Sequence, residues 1–271
     1  MLKGGGRGVA VQPGGDGEAA RPRDGHFAGR SAWDFRRELY RRYVSAFKQD
    51  TRLNGEPSVA WWDHKYLPLF QGLEPTAPIL EVGCGAGELL AYLGRRGFSH
   101  AIGIDISAEQ VELARRRGVR ADVVDAFDFL RNPVDAFGAI LAVDVLEHLT
   151  RDELVRLGPL LFRALLPGGR LMVQTANGAG LFPHQVIYGD LTHMTIFTPQ
   201  SLAQLLRTSG FIDLSFYETG PAPIRLRGKL DVALWSAIKA VANTVRTIET
   251  GKRQAIWTEN FICLAWRPLD A

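Results

Sequence analysis

The segment Ile79-Leu80-Glu81-Val82-Gly83-Cys84-Gly85-Ala86-Gly87 constrains this chain more than any other. A short apolar run ends on three glycines at alternate positions. Glycine adopts positive φ and has no side chain, so such a turn lets backbone approach a ligand closely at the end of a buried strand. Further apolar runs follow at Ala101–Asp105, Val119–Val124, Ala139–Val143 and Arg170–Thr175. Strands of this kind are buried on both faces. Helical stretches near 86–96, 107–117, 126–131 and 150–165 separate them. Ser107 and Thr150 are placed to cap two of these helices, and Pro167-Gly168-Gly169 to stop the last. A helix over 199–209 then leads to a strand at Phe211–Tyr217, and Ile256–Trp266 reads as a further strand. The alternation predicts an α/β fold, a doubly wound and mostly parallel seven-stranded sheet with helices on both faces.

The flanks differ from this core. Residues 1–30 are Gly-rich with few large apolar side chains, which predicts a disordered leader. Ser31 is a candidate N-cap, after which Leu39, Tyr40, Tyr43, Val44 and Phe47 recur at helical spacing. With the aromatic cluster Trp61, Trp62, His64, Tyr66 they predict an N-terminal helical lid over 31–70. One folded domain is expected over 31–271: the lid, a core at 78–217, an insert at 218–255 and a last strand at 256–267. The insert is far longer than a hairpin loop. In it Leu230, Leu234, Ile238, Val241, Val245 and Ile248 form a helical stripe.

The net charge is +3, with acids interspersed among the Lys and Arg residues, which argues against a nucleic-acid partner. The two cysteines, Cys84 and Cys263, lie in a glycine loop and an apolar strand, as small packing residues do. A reducing cytoplasm is the expected compartment. The N-terminus shows no secretory h-region, and no apolar run is long enough to span a bilayer.

A dinucleotide fingerprint would need its third glycine at position 88, where this chain has Glu88, so NAD is disfavoured. Asp105 ends the second strand, where a carboxylate can accept from both ribose hydroxyls. Asp125-Ala126 follows the third, suited to an adenine edge. Singly, either acid reads best as a helix cap; three features in register at consecutive strand ends point to a nucleotide.

These residues, with Asp144-Val-Leu-Glu147-His148 and Leu166-Pro-Gly168-Gly169, resemble the class I (Rossmann-like) S-adenosylmethionine-dependent methyltransferases over about 78–217. The resemblance implies that Glu81, Gly83, Cys84, Gly85 and Gly87 hold the amino acid portion of the cofactor. It implies further that Asp105 holds the ribose, that Ile106 packs on the adenine, and that Asp125 and Ala126 meet its edge. Asp144 is assigned both to the cofactor wall and to catalysis.

The acceptor side should lie after strands four and five. Asp144-x-x-Glu147-His148 and the later Asp190-Leu-Thr-His193 resemble segments of ubiquinone-type O-methyltransferases. Small-RNA 2′-O-methyltransferases carry a similar Glu-x-x-Glu-His with a distant His that holds a divalent metal; here Asp144 takes the first position. Two functional readings follow. Glu147, His148 and His193 could bind a cation such as Zn²⁺, Mn²⁺ or Fe²⁺. Alternatively His193 is the general base, with His148 second. A third reading leaves these side chains with only packing and electrostatic roles.

The later residues, from Gly189 to Glu249-Thr-Gly251, resemble bacterial methyltransferases of polysaccharide and glycolipid assembly. The expected acceptor is therefore a small-molecule or sugar hydroxyl, glycan or quinone-like. The alternatives are RNA 2′-O-methylation and a non-catalytic cofactor-binding scaffold. Trp61, Trp62 and Tyr66 could stack on a sugar or anchor the lid. The stripe over 225–248 suits a dimer or core helix, or peripheral contact with the inner face of a membrane.

Overall fold

In the computed structural model, the described residues are 39–40, 58–132 and 134–270. The expected leader, the Ser31 cap and the helix residues Tyr43, Val44 and Phe47 lie outside them. Leu39 and Tyr40 are helical.

Five strands run parallel: β1 (Ile79–Val82), β2 (Ala101–Asp105), β3 (Ala121–Val123), β4 (Phe137–Val143) and β5 (Leu165–Ala176). β6 (Ile212–Glu218) and β7 (Asn260–Trp266) complete the sheet in the order β3-β2-β1-β4-β5-β7-β6, with β7 antiparallel to both neighbours. The order reverses between β1 and β4, and in open α/β sheets a ligand binds beyond the strand ends at that switch point.

Strand alternation divides the core. Leu80, Val82, Ile140, Ala142, Leu171 and Val173 face one side, where α5 (Arg151–Ala164) and α7 (Pro199–Thr208) lay down Leu154, Leu157, Leu161, Leu202 and Leu206. Ile79, Ala139, Leu141 and Met172 face the other. There they meet α1 (Val59–Lys65) with the 3₁₀ turn behind it, and α2 (Glu88–Arg95), through Tyr66, Phe70, Leu89, Tyr92 and Leu93. α3 (Ala108–Arg116) and the short α4 (Ala126–Phe129) and α6 (His184–Tyr188) fill the strand ends.

Ser107 caps α3 by accepting from the Gln110 N–H, and Thr150 and Glu153 form a reciprocal capping box on α5. The other end of α5 differs from expectation. Pro167-Gly168-Gly169 does not stop the helix: α5 ends at Ala164, Leu165 already pairs with Phe137, and the three residues form an irregularity inside β5. Gly168 there takes φ 74°. β3 is shorter than expected because Val119 turns under Gly87 instead of joining the sheet.

The last strand also starts late, at Asn260. Ile256, Trp257 and Thr258 are buried for another reason: their backbone serves the side chains of Glu218, Asn177 and Gln254. Between β6 and β7 stands α8 (Leu226–Thr250). Among the described residues no helix is long and apolar enough to cross a membrane.

Candidate active site

The loop after β1 is built on three left-handed glycines, with φ of 66° at Gly83, 53° at Gly85 and 76° at Gly87. Each serves a different purpose. A Cβ on Gly83 would lie 2.4 Å from Val145 Cγ2, so this glycine lets the β1 and β4 ends close on each other. A Cβ on Gly87 would strike Ala114 of α3. At Gly85 it would meet only Gln110 Oε1, at 4.0 Å, so the backbone is left bare toward the space in front of the sheet. Asp105 ties this loop to the next strand, accepting from the Gly85 N–H at 2.9 Å and the Ser107 N–H at 2.8 Å. Asp125 caps α4 through the Phe127 N–H at 2.8 Å.

A cavity of about 780 Å³ opens here, within the size range of small-molecule sites. Glu81, Gly83, Cys84, Gly85, Asp105, Ile106, Asp125 and Ala126 stand in its wall, as do Asp144, Glu147, His148 and His193. Gly87 differs from the other glycines of the loop. Gly87 is not part of the wall, because the strand-to-helix turn presses it against Ala114 and Val119. Cys84 is in the wall, with its sulfur filling the hollow at Gly103.

Glu81 is buried beneath the loop, and its Oε2 has no hydrogen-bond partner among the described residues. Burial, then the Glu88 and Asp105 carboxylates, push its pKa well above the usual range. A buried acceptor without a donor, beside bare glycine backbone and an acid at the β2 end, fits a ligand bringing a cationic group and a ribose.

Asp144, after β4, is held at φ 53°, a sparsely populated conformation for a non-glycine residue. Gln174 Nε2 of β5 donates to both its oxygens at 3.1 Å, while Gln174 Oε1 accepts from the buried Tyr66 hydroxyl. Desolvation raises the Tyr66 pKa, keeping the hydroxyl a donor. Tyr66 is therefore an anchor under the site, and Trp62 stacks on Tyr92 beside it. Trp62 and Tyr40 are in the cavity wall, whereas Trp61 packs on Trp62 and Tyr66.

Beyond Asp144 the two histidines meet. The Glu147 carbonyl accepts from the N–H groups of Met194 and Thr195, at 2.7 and 3.0 Å, which pins the His193 loop against the His148 turn. The ring centroids are 4.8 Å apart, and Tyr40 sets its edge on His148. Thr192 Oγ1 donates to Asp190 at 2.6 Å, so its 2.8 Å contact with His148 Nδ1 has the ring as donor. His193 Nδ1 lies 3.1 Å from the Ile187 carbonyl, which can only accept. His193 Nδ1 therefore carries a proton, which leaves Nε2 as the ring nitrogen able to take one. Burial, then His193, lowers the His148 pKa to about 4.

Donor atoms of Glu147, His148 and His193 lie within 4.8 Å of one another. A cation bound there would take one ligand atom from each of the three side chains. It would also have to displace a proton, because burial and then Asp144 push Glu147 up to about 8. Asp144 stands outside this cluster. Gln174 and Thr192 are missing from the sequence-derived site, and Tyr66, read there as a stacking or anchoring aromatic, donates a hydrogen bond to Gln174. Gln174-Thr175 at the end of an otherwise apolar strand was the available signal for the first.

A family model described as a methyltransferase domain matches residues 51–215. The chain belongs to that family. Its family is that of the class I S-adenosylmethionine-dependent methyltransferases. It is 30% identical over 139 residues to a mouse (Mus musculus) protein named probable tRNA methyltransferase 9B, covering 50% of this chain and 30% of that one. It is 25% identical over 226 residues to the mitochondrial ubiquinone biosynthesis O-methyltransferase of Rattus norvegicus, covering 67% and 64%. The methyltransferase thus spans less than two thirds of either relative's length. Its fold matches that of a SAM-dependent methyltransferase from Archaeoglobus fulgidus with TM-score 0.58 and 18% identity, covering 85% of this chain and 99% of that one.

Proposed function

We propose that this methyltransferase methylates a hydroxyl group of a small-molecule or glycan acceptor, with His193 as general base. The observation that carries the reading is the His193 ring itself: its Nδ1 proton is committed to the Ile187 carbonyl, so the nitrogen left to take a proton is Nε2, in a cavity shared with the glycine loop. The relatives named for ubiquinone biosynthesis support a hydroxyl acceptor.

On this reading Gly83–Gly85 backbone and Glu81 hold the amino acid end of S-adenosylmethionine, and Asp105 accepts from the ribose. Ile106, Asp125 and Ala126 border the adenine. The cofactor supplies a methyl group already activated by its sulfonium, so the chain's work is orientation, exclusion of water and proton removal. The Tyr66–Gln174–Asp144 chain fixes the strained Asp144 turn, and Thr192 holds the ring plane of His148. His148, held neutral by burial, keeps a second positive charge away from His193 as that residue takes up the acceptor proton.

The test is H193A, assayed for methyl transfer to a panel of catechol and sugar acceptors alongside S-adenosylhomocysteine titration by calorimetry. Transfer is expected to fall about 10²–10⁴-fold with cofactor affinity unchanged. An unchanged rate would falsify the assignment.

A cation at Glu147, His148 and His193 is the second reading, favoured by the grouping of their donor atoms. With His193 as the base, transfer is expected to survive exhaustive chelation. Loss on chelation with recovery on adding Zn²⁺ or Mn²⁺ would reverse the choice. RNA is the acceptor the tRNA-methyltransferase relatives raise; salt-sensitive RNA binding, with transfer to RNA exceeding that to small hydroxyls, would replace the present reading.

A further inference from the structure

The helix α8 is docked with its polar side inward. Trp235 Nε1 and Lys239 Nζ both donate to Glu218 Oε2, and the other oxygen of Glu218 receives the Trp257 N–H. Asn243 exchanges hydrogen bonds with the backbone of Gln254 in both directions. The apolar side therefore faces out. Leu226, Leu230, Leu234, Ile238, Val241, Val245 and Ile248 are all exposed, with Leu226 at 86% and Ile248 at 83%. This inverts the usual amphipathic arrangement, in which the apolar stripe faces the core.

The outward residues 226, 230, 234, 237, 241, 245 and 248 follow spacings of four, four and three, given twice. An eleven-residue repeat barely drifts around a helix, so the stripe runs straight for about 33 Å. A straight stripe presents a plane. Next to it Leu181 and the 70% exposed Phe182 form an apolar groove with Ala237, Ile238, Val241 and Ala242. Three residues beyond Phe182 come Gln185 and Val186, which line the catalytic cavity. Tyr188 and Leu191 of the same loop are also exposed.

Charge decides between occupants. At its N-terminal end the stripe is bordered by Arg225, Arg227 and Lys229 against Asp231, and at its C-terminal end by Lys252 and Arg253 against Glu249. From Val232 to Val245 the one ionisable side chain is Lys239, which is turned inward onto Glu218. A second copy laid along the stripe would bring cationic end against cationic end in either orientation. A plane of anionic headgroups complements both ends and accepts the neutral band between them.

We propose that the outward face of α8, together with Phe182, rests in the interface of an anionic lipid bilayer and holds the mouth of the catalytic cavity at that surface. The inference concerns a surface and does not rest on the choice of acceptor.

The full chain is to be sedimented with phosphatidylcholine vesicles, with and without phosphatidylglycerol. Binding is expected with the anionic lipid and not with phosphatidylcholine alone. The variant L234D/V241D should weaken partitioning on the order of a hundredfold. R225Q/R227Q/K229Q should weaken it about as much and flatten its dependence on salt. Both variants alter exposed side chains and should bind S-adenosylhomocysteine as the parent does, which shows an intact fold and separates this result from any failure of the cavity's reading. No sedimentation with anionic vesicles, or equal sedimentation of L234D/V241D, would overturn the proposal. So would a dimer in lipid-free solution that L234D/V241D dissociates, since the stripe would then be an interface between copies.

Discussion

Glu81 shows how a single side chain can set binding against stability. Its carboxyl is sealed under the glycine loop with an oxygen lacking a partner, and its pKa is raised by desolvation. Above the ordinary value near 4.5 the unfolded chain releases this proton while the folded chain keeps it. Stability contributed by the protonated group is therefore lost as pH rises from there toward the raised folded value. E81Q removes that titration and can still fill the space. The variant is expected to melt above the parent, with a gap that widens as pH is raised through the range above about 4.5, while its affinity for S-adenosylhomocysteine falls. A constant gap across that range would show that Glu81 is ionised in the unliganded protein. At Gly83 sterics govern instead. G83A puts a Cβ 2.4 Å from Val145 Cγ2 in a left-handed backbone, and is expected to cost about 1–3 kcal/mol by denaturant melt.

At the level of elements, legibility followed burial. β4 could be read because a strand covered on both faces is apolar throughout, and β1 and β2 because a single acid, Glu81 or Asp105, stands in an otherwise apolar run. Ile256 and Trp257 misled because they are apolar and buried without being a strand, and Pro167-Gly168-Gly169 because a turn signal can also be an irregularity inside a strand. The meeting of His148 with His193 could not be read from spacing, since the Glu147 carbonyl brings together residues far apart in sequence. The insert was legible as a helix, but its stripe suited a core, a dimer or a membrane surface alike, so its outward orientation stayed open. That orientation depends on Glu218, which was read only as the start of the insert. E218A removes the acceptor shared by Trp235, Lys239 and the Trp257 N–H. Hydrogen exchange over 226–250 should accelerate by roughly one to two decades, for about 1–3 kcal/mol of lost docking, with protection of β4 and β5 unchanged. Equal acceleration in β4 would mean that α8 and the sheet unfold as one unit.

For the whole molecule, the reversal of strand order between β1 and β4 gathers four strand ends around one cavity, so a ligand there touches segments distant in sequence. Anything that binds only this assembled state stabilises all of it. At a hundred times its dissociation constant the gain is about 2.7 kcal/mol, and a chain of this size responds by about 2–4 °C per kcal/mol. S-adenosylhomocysteine should therefore raise the melting temperature by roughly 5–10 °C. Asp105 links two of the gathered ends, through the Gly85 and Ser107 N–H groups, and also faces the cavity. D105A should consequently act twice, lowering the melting temperature of the unliganded protein and abolishing the shift with ligand. D105N, which keeps one acceptor oxygen for the loop, should recover part of the first effect and little of the second. A full ligand shift in D105A would place the ribose elsewhere, leaving Asp105 as the clasp between β1 and β2.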